Sequence, residues 1–388
     1  MKIAIFTESF HPVVNGVTRS IDTLVADLNE SGHETIVYAP RARGYVDSDS
    51  GVRRFPSYYV KRAPEYPLAI PFSPRLFREF AREGFDVVHT QTPFALGLSG
   101  LFLARRNRIP LVAHLHTLYV EYCHYVPFVP LGLMRWITRK FLVWFYCQAQ
   151  VVIVPSPSVE GLLRSYGMGR PVAVVPTGVR LTGPGDRLAA RRHLGISADE
   201  PVVLYTGRIA PEKNIFLLID SFARVRRSIP AARLLLVGDG PGRSAAEAQV
   251  RELGQEDAVT FTGFRPHDEV ILACSAADVF CFPSSTDTQA LSVLEAMACA
   301  VPPVVARAYG PADLVEDGIS GRVVTPVADD FAAAIVSILS DPGERRRLSE
   351  GALRRSADYS TASTLQAMLE VYESVLSDQH RALSPVGD

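Results

Sequence analysis

Along nearly its whole length the sequence alternates short, near-continuous apolar runs with segments of helix length. In the first half the runs are Lys2–Thr7, Glu34–Ala39, Phe85–Thr90, Pro110–His116, Gln150–Pro155 and Val172–Pro176. Runs of this kind are strands covered on both faces. Between them lie the helix-length segments Val17–Asn29, Ala95–Arg106, Leu131–Gln148 and Ser158–Ser165. Strands alternating with helices imply βαβ units and a parallel sheet. The second half repeats the style, with strands predicted at Pro201–Gly207, Arg233–Gly238, Val259–Gly263, Val279–Pro283 and Pro303–Ala306. Its helices are predicted at Glu212–Arg227, Arg243–Leu253, Leu291–Ala300, Asp329–Leu339 and Ser363–Ser377. The halves share the pattern but no residue-level repeat. A chain of 388 residues can fill two sizeable cores. The expectation is two doubly wound α/β domains.

The boundary is expected in Gly178–Asp199, where Gly, Pro, Arg and Asp cluster without an apolar period, as in a hinge or linker. Arg41–Tyr66, rich in Arg, Tyr, Pro and Ser, reads as a long surface loop. The N-terminus meets acidic Glu8 after one short apolar run, so it reads as a buried strand and not a signal peptide. No apolar run reaches the length of a membrane span. Cys123, Cys147, Cys274, Cys281 and Cys299 have no CxxC spacing, which fits free thiols in a reducing compartment and argues against a cysteine metal site. Residues 1–190 hold 21 Lys and Arg against 14 Asp and Glu, whereas the remainder holds 19 against 27. A basic half suits an anionic surface. No nucleic-acid recognition motif accompanies it, so nucleic acid is not an expected partner.

Ligands of open parallel sheets bind beyond the carboxyl ends of the strands. Asn15-Gly16 follows the first strand and opens a helix, so backbone there can approach an anion. The alternative is a plain helix start. No GxGxxG is present, which disfavours a nicotinamide dinucleotide. His114 and His116 lie two apart at the end of the fourth strand and share a face. His116 suits contact with a sugar or phosphate oxygen, or acid–base work; His114 suits a structural role. A metal pair is the rival, but it lacks an identifiable third ligand. In "TGRIAPEKN", Arg208 and Lys213 sit just after a strand and near a helix start, a pairing suited to a pyrophosphate. In "PSSTDTQALSVLEAMA", Asp287 and Glu295 are eight positions apart across a loop-to-helix transition. Each carboxylate accepts two hydroxyl hydrogen bonds, which fits a sugar diol. A glycosidase pair is the rival, and the phosphate-type cations argue against it.

These pieces together resemble the retaining, sugar-nucleotide-dependent glycosyltransferases of family 4, which have the GT-B fold. The resemblance covers nearly the whole chain. It rests on Asn15-Gly16, His116 in "LHT", Gly207-Arg208 through Lys213-Asn214, Gly238-Asp239-Gly240-Pro241, Phe261-Thr262-Gly263-Phe264, and Asp287 through Glu295. It implies two Rossmann-like domains facing across a cleft, here 1–182 on the acceptor side and 183–362 for the donor. The C-terminal helix, 363–378, would return to the first domain. Asn15 and Gly16 would lie at the donor diphosphate. Arg208 and Lys213 would hold the phosphates and stabilise the leaving nucleoside diphosphate. Glu295 would bind the ribose, and Asp287 the donor-sugar hydroxyls. Gln289, Ala290 and Leu291 would present backbone near the diphosphate. Gly238 and Phe264 would belong to the donor site, and His116 would touch the sugar near the reacting carbon. The resemblance implies no metal and no cofactor, since the cations and helix N-termini supply the charge stabilisation.

Three positions depart from the family pattern. Asp287 stands where Glu is usual, and Ala290 and Ala300 stand where glycine is usual. "HLHTLYVEYCHYVPF" and Thr288-Gln289 are similar to members that glucosylate diacylglycerol and related lipids on the cytoplasmic membrane face. The resemblance thus implies a UDP- or GDP-sugar donor, UDP-glucose favoured, and a lipid or lipid-linked acceptor. A soluble acceptor, and a sugar-nucleotide-binding protein without activity, are the alternatives. Leu131–Gln148 sets Arg135, Arg139 and Lys140 among Trp136, Phe141, Trp144, Phe145 and Tyr146. A basic, aromatic-rich helix suits an anionic membrane interface, with core packing as its rival. The expected location is the cytoplasm, with docking on the inner membrane face.

Overall fold

The computed structural model describes residues 1–60, 63–125, 129–181 and 183–383. Residues 61–62 of the expected loop, 126–128 of the lipid-type segment, 182 of the expected linker and the last five residues lie outside these. The chain divides into two compact units, Met1–Gly178 with Thr361–Asp388, and Val179–Ser360.

The first unit carries strands β1 (Lys2–Phe6), β2 (Glu34–Pro40), β3 (Val52–Phe55), β4 (Ser57–Val60), β5 (Ala63–Ala69), β6 (Val87–Thr90), β7 (Leu111–His114), β8 (Val151–Val154) and β9 (Val172–Val174). Its helices are α1 (Gly16–Glu30), α2 (Pro74–Glu83), α3 (Ala95–Asn107), α4 (Leu131–Tyr146) and α5 (Pro157–Ser165). Seven strands form one parallel sheet in the order β3-β2-β1-β6-β7-β8-β9. The expected long loop is therefore largely ordered structure. β3 extends the sheet edge, and β4 and β5 form an antiparallel hairpin. Polar composition hid β3. Arg54 lies within it, held by Asp47, while Phe55 is fully buried.

The second unit carries α6 (Arg187–His193), β10 (Val202–Thr206), α7 (Ile215–Ser228), β11 (Arg233–Val237), α8 (Arg243–Glu252), β12 (Val259–Gly263), α9 (His267–Ala276), β13 (Val279–Phe282) and α10 (Leu291–Ala298). Then come β14 (Pro303–Ala306), α11 (Tyr309–Leu314), β15 (Arg322–Val324), α12 (Ala328–Ser340) and α13 (Pro342–Ser356). Its six strands are parallel in the order β12-β11-β10-β13-β14-β15. In both sheets the chain reverses its direction of travel beside the first strand, between β1 and β6 and between β10 and β13. Such switch points open a crevice beyond the strand ends where ligands bind.

Much of the expected linker is instead folded into the second unit. Asp186 caps α6 through the Ala189 amide. Arg191, 1% exposed, donates to the carbonyls of Ala276, Ser197, Ala198 and Glu200 and to Asp278. The last helix, α14 (Thr361–Leu383), packs in the first unit. Its Met368, Val371, Tyr372 and Val375 are buried with Ile3, Ile5 and Val87.

Helix α10 is bracketed by two alanines in the left-handed region, Ala290 at φ 87° and Ala300 at φ 59°. At its C-terminus the Ala300 amide bonds the Met297 carbonyl and the Val301 amide bonds that of Ala296. This is a Schellman ending, a position where glycine avoids the Cβ penalty. The two sequence departures at Ala290 and Ala300 thus coincide with backbone strain. Ala300→Gly is expected to stabilise the second unit by about 1 kcal/mol. Calorimetry should show its melting temperature rise by roughly 2–4 °C.

Candidate active site

In the second unit the loops after β10 and β13 meet at the switch point. Tyr205 donates its hydroxyl to the Arg208 carbonyl at 2.9 Å. The Arg208 side chain is exposed and makes no hydrogen bond or ion pair among the described residues. Pro211–Lys213 forms one 3-10 turn, and Asn214 follows at φ 53°. The helix predicted from Glu212 therefore starts at Ile215, and Lys213 sits on the turn before it. The turn is stitched to the other loop. Asn214 donates to the Pro283 carbonyl at 3.0 Å, and the hydroxyls of Ser284 and Thr286 donate to the Glu212 carbonyl.

This stitching sets Lys213 Nζ 2.6 Å from Asp287 Oδ1. Asp287 Oδ2 is buried and has no hydrogen-bond partner among the described residues. An unmatched buried acceptor costs roughly 1–3 kcal/mol, so its presence needs a reason. Thr288 and Gln289 are buried, and the Ala290 backbone turns into α10, whose first amides lack intrahelical partners. Gly310 of α11 braces this loop. A Cβ there would collide with the Thr288 carbonyl and the Gln289 nitrogen. Glu295 lies on α10, nearly buried, 3.6 Å from His267 Nδ1. Gly238 serves packing directly. At φ 141° its amide donates to the Gly263 carbonyl, and a Cβ would strike the Gly207 carbonyl. Phe264 follows, 70% exposed.

In the first unit Asn15 caps α1. Its side chain accepts from the Thr18 amide at 3.0 Å and donates to Ser9 Oγ at 2.7 Å. A Cβ on Gly16 would meet nothing within 4 Å, so no packing demand explains that glycine. His116 lies two residues past β7, not on it as predicted. Its Nε2 is 2.6 Å from Gln91 Oε1. Its ring stacks on His114 at 3.9 Å, and His114 on His89 at 5.6 Å. His89 Nδ1 is 2.7 Å from the Tyr372 hydroxyl. The three rings lie in a column with no convergence of nitrogens. Burial pulls His89 and His116 down to about 3. His114 is driven well below its ordinary value by burial and then by its two neighbours. His116 is therefore a neutral imidazole, able to hydrogen-bond but carrying no charge.

Sequence reasoning missed Glu8, Gln91 and Gly310, and it named Asn214 only as the end of a motif. Each lies beside a residue it singled out, and only packing distinguishes them. Among the described residues, no group of three or more His, Cys, Asp and Glu side chains is placed to hold a metal ion. No helix among them is long and apolar enough to cross a membrane. On α4 the apolar Leu131, Leu133, Trp136, Ile137 and Trp144 are exposed, whereas Leu142, Phe145 and Tyr146 are buried.

Residues 14–182 match the family described as glycosyltransferase family 4, and residues 186–355 match glycosyl transferases group 1. The chain is 30% identical over 381 residues to the alpha-monoglucosyldiacylglycerol synthase of Streptococcus pneumoniae, covering 92% of this chain and 83% of that one. The chain belongs to the family 4 glycosyltransferases. This glycosyltransferase is also 31% identical to a GDP-mannose-dependent alpha-mannosyltransferase of Mycolicibacterium smegmatis, over 97% of this chain and 98% of that one. Its fold matches a sucrose-phosphate synthase from Thermosynechococcus elongatus with TM-score 0.83 and 25% identity, over 97% and 99% of the two chains. The fold is GT-B, two Rossmann-like parallel sheets, and the enzyme is a hexosyltransferase.

Proposed function

We propose that the enzyme moves a hexose from a nucleoside-diphosphate sugar, UDP-glucose in first place, to a membrane lipid, with retention of anomeric configuration. The observation that carries this reading is the Lys213–Asp287 pair with its unmatched Asp287 Oδ2 at a switch point. Lys213 and Arg208 meet the diphosphate charge, which grows as the sugar bond breaks. Asp287 Oδ2 accepts from a donor-sugar hydroxyl. Glu295 takes the ribose diol, and the exposed Phe264 ring lies against the base. Gly16 and the start of α10, with Gln289, Ala290 and Leu291, present backbone to the phosphates. His116 donates to or accepts from the sugar as a neutral ring. On this reading the two cations and the helix amides meet the charge without a metal or cofactor. The lipid acceptor draws support from the S. pneumoniae relative, whose name states that activity.

The exposed face of α4 supports docking on the inner face of the cell membrane. Arg135, Arg139 and Lys140 are exposed beside Trp136, itself 57% exposed. Arg135 pairs with Glu121 at 3.4 Å, and Arg139 lies over the Tyr166 ring at 4.8 Å. Lys140 is thus the cation best placed to meet lipid phosphate. Each well-placed cation adds about 1 kcal/mol on anionic lipid. Replacing Trp136 by Ala and Lys140 by Glu together should weaken partitioning onto phosphatidylglycerol vesicles by at least about tenfold. Sedimentation with the vesicles measures it, and unchanged partitioning sinks the docking reading.

The function itself is tested by supplying UDP- and GDP-sugars with and without vesicles containing diacylglycerol, and measuring nucleoside diphosphate release. Release from one donor, raised by the lipid, is the expected result. Release indifferent to lipid moves the acceptor to a soluble molecule. Release from GDP-mannose instead of UDP-glucose replaces the donor, an outcome the M. smegmatis relative makes worth including.

A further inference from the structure

The switch point of the first sheet carries buried polar groups that the donor chemistry leaves unused. Glu8 lies two residues past β1, and Gln91 follows β6 directly. The two strands are neighbours. The Gln91 amide bonds the Phe6 carbonyl at 2.8 Å, and the Glu8 amide bonds Thr92 Oγ1 at 3.3 Å. Glu8 Oε1 accepts from the Leu96 amide at 2.5 Å, so the carboxylate sits at the N-terminus of α3, which has no other side-chain cap. Glu8 Oε2 is buried without a hydrogen-bond partner among the described residues. Gln91, 1% exposed, uses Oε1 on His116, and its Nε2 is likewise buried and unpartnered. However the carboxamide is turned, one polar atom faces His116 and the other is left over. One unmatched acceptor and one unmatched donor thus flank the strand end next to a ring expected at the reacting sugar carbon. Structure of this kind is retained where a ligand completes the bonding.

We propose that Glu8 and Gln91 bind the acceptor: Glu8 Oε2 accepts a hydrogen bond from its hydroxyl, and Gln91 Nε2 donates to a second oxygen nearby. The chemistry fits a glycerolipid, which offers a free hydroxyl and a neighbouring ester oxygen. The inference rests on the lipid-acceptor reading above and names the residues of that site. The groups facing Glu8 are the Leu96 and Gly97 amides and the phenols of Tyr119 and Tyr146. Burial pushes both phenols up, so they stay neutral throughout the working range. Burial also raises Glu8 to about 7, against the pull of the backbone amides. Acceptor binding should therefore tighten as pH rises through about 7, where the carboxyl loses its proton and becomes the better acceptor.

The test is a titration of the full chain with dioctanoylglycerol in detergent micelles, without donor, from pH 6 to 8. Glu8→Gln keeps an oxygen for the Leu96 amide but turns the free atom into a donor. It should bind dioctanoylglycerol at least about tenfold more weakly, lose the inflection near pH 7, and keep wild-type UDP affinity and melting temperature. Gln91→Met, which keeps the volume, should also weaken dioctanoylglycerol binding. Wild-type affinity and pH profile in Glu8→Gln overturn the inference, as does a wild-type chain that does not bind the diglyceride. Because the titration needs no donor, the two readings fail separately. Binding through Glu8 without donor turnover removes the transfer and leaves this site standing. Turnover unchanged in Glu8→Gln removes the site and leaves the transfer.

Discussion

Lys213→Ala is expected to lower turnover by about 10²–10³-fold, the usual cost of removing one preorganised group that meets developing charge. Lys213 Nζ lies 2.6 Å from Asp287 Oδ1, and the other Asp287 oxygen is already buried and unmatched. Without the lysine, the carboxylate loses its cation where the leaving diphosphate would gather charge. The loss should fall on kcat more than on KM, because in the proposed role the lysine would interact most strongly as the leaving group departs. The turn that carries it is held independently, by Asn214 on the Pro283 carbonyl and by Ser284 and Thr286 on the Glu212 carbonyl. The variant should accordingly melt within about 1 kcal/mol of wild type, since Lys213 is a surface-proximal partner and not a core group. Arg208→Ala should show the same pattern. Steady-state nucleoside diphosphate release, with circular dichroism to confirm folding, measures both. Turnover within a factor of three of wild type in either variant would rule out the assigned role of that cation.

Arg191→Ala is expected to cost the second unit about 3–5 kcal/mol, as breaking a buried ion pair usually does. The guanidinium is buried and donates to four backbone carbonyls as well as to Asp278. Asp278, 2% exposed, also accepts from the Val202 amide and from Arg187, with Arg345 at 3.3 Å. These bonds join α6 to the start of β10 and the end of α9. Removing the arginine leaves carbonyls that the fold shields from water and a carboxylate with fewer counter-charges. The melting temperature of this unit should drop by roughly 10 °C in calorimetry. A shift under about 2 °C would show that α6 is only loosely attached, closer to the linker expected from its composition.

That last contrast shows where the sequence is readable. The nine inner strands of the two parallel sheets announce themselves, because burial on both faces leaves mostly apolar residues in them. Of the edge strands, β9 and β12 were apolar enough to be read, whereas β3 and β15 were not. β3 carries Arg53 and Arg54, since an edge strand keeps part of its surface in water. α2 and α13 are mostly polar, so apolar periodicity missed them. Their end signals were present all the same: Ser73 before Pro74 with Gly84 beyond, and Asp341 before Pro342. α6 was concealed by arginines, one of which is the most deeply buried charge in its unit.

The same division holds at the site. Arg208, Lys213, Asp287 and Glu295 were legible because charged residues following buried strands have few structural reasons to be there. The order of motifs made the family legible too. By itself, then, the sequence determined the class of fold and the family, and it marked the residues proposed for phosphate and sugar chemistry and the odd alanines at 290 and 300. Only the tertiary structure decided that those alanines lie at positive φ, that Lys213 and Asp287 pair, and that His116 stacks into a neutral column anchored on Tyr372. It alone singled out Glu8 and Gln91. The physical reason is that residue type is a local property, whereas burial, pairing and the satisfaction of a hydrogen bond depend on partners up to 283 positions away in the chain, as between His89 and Tyr372.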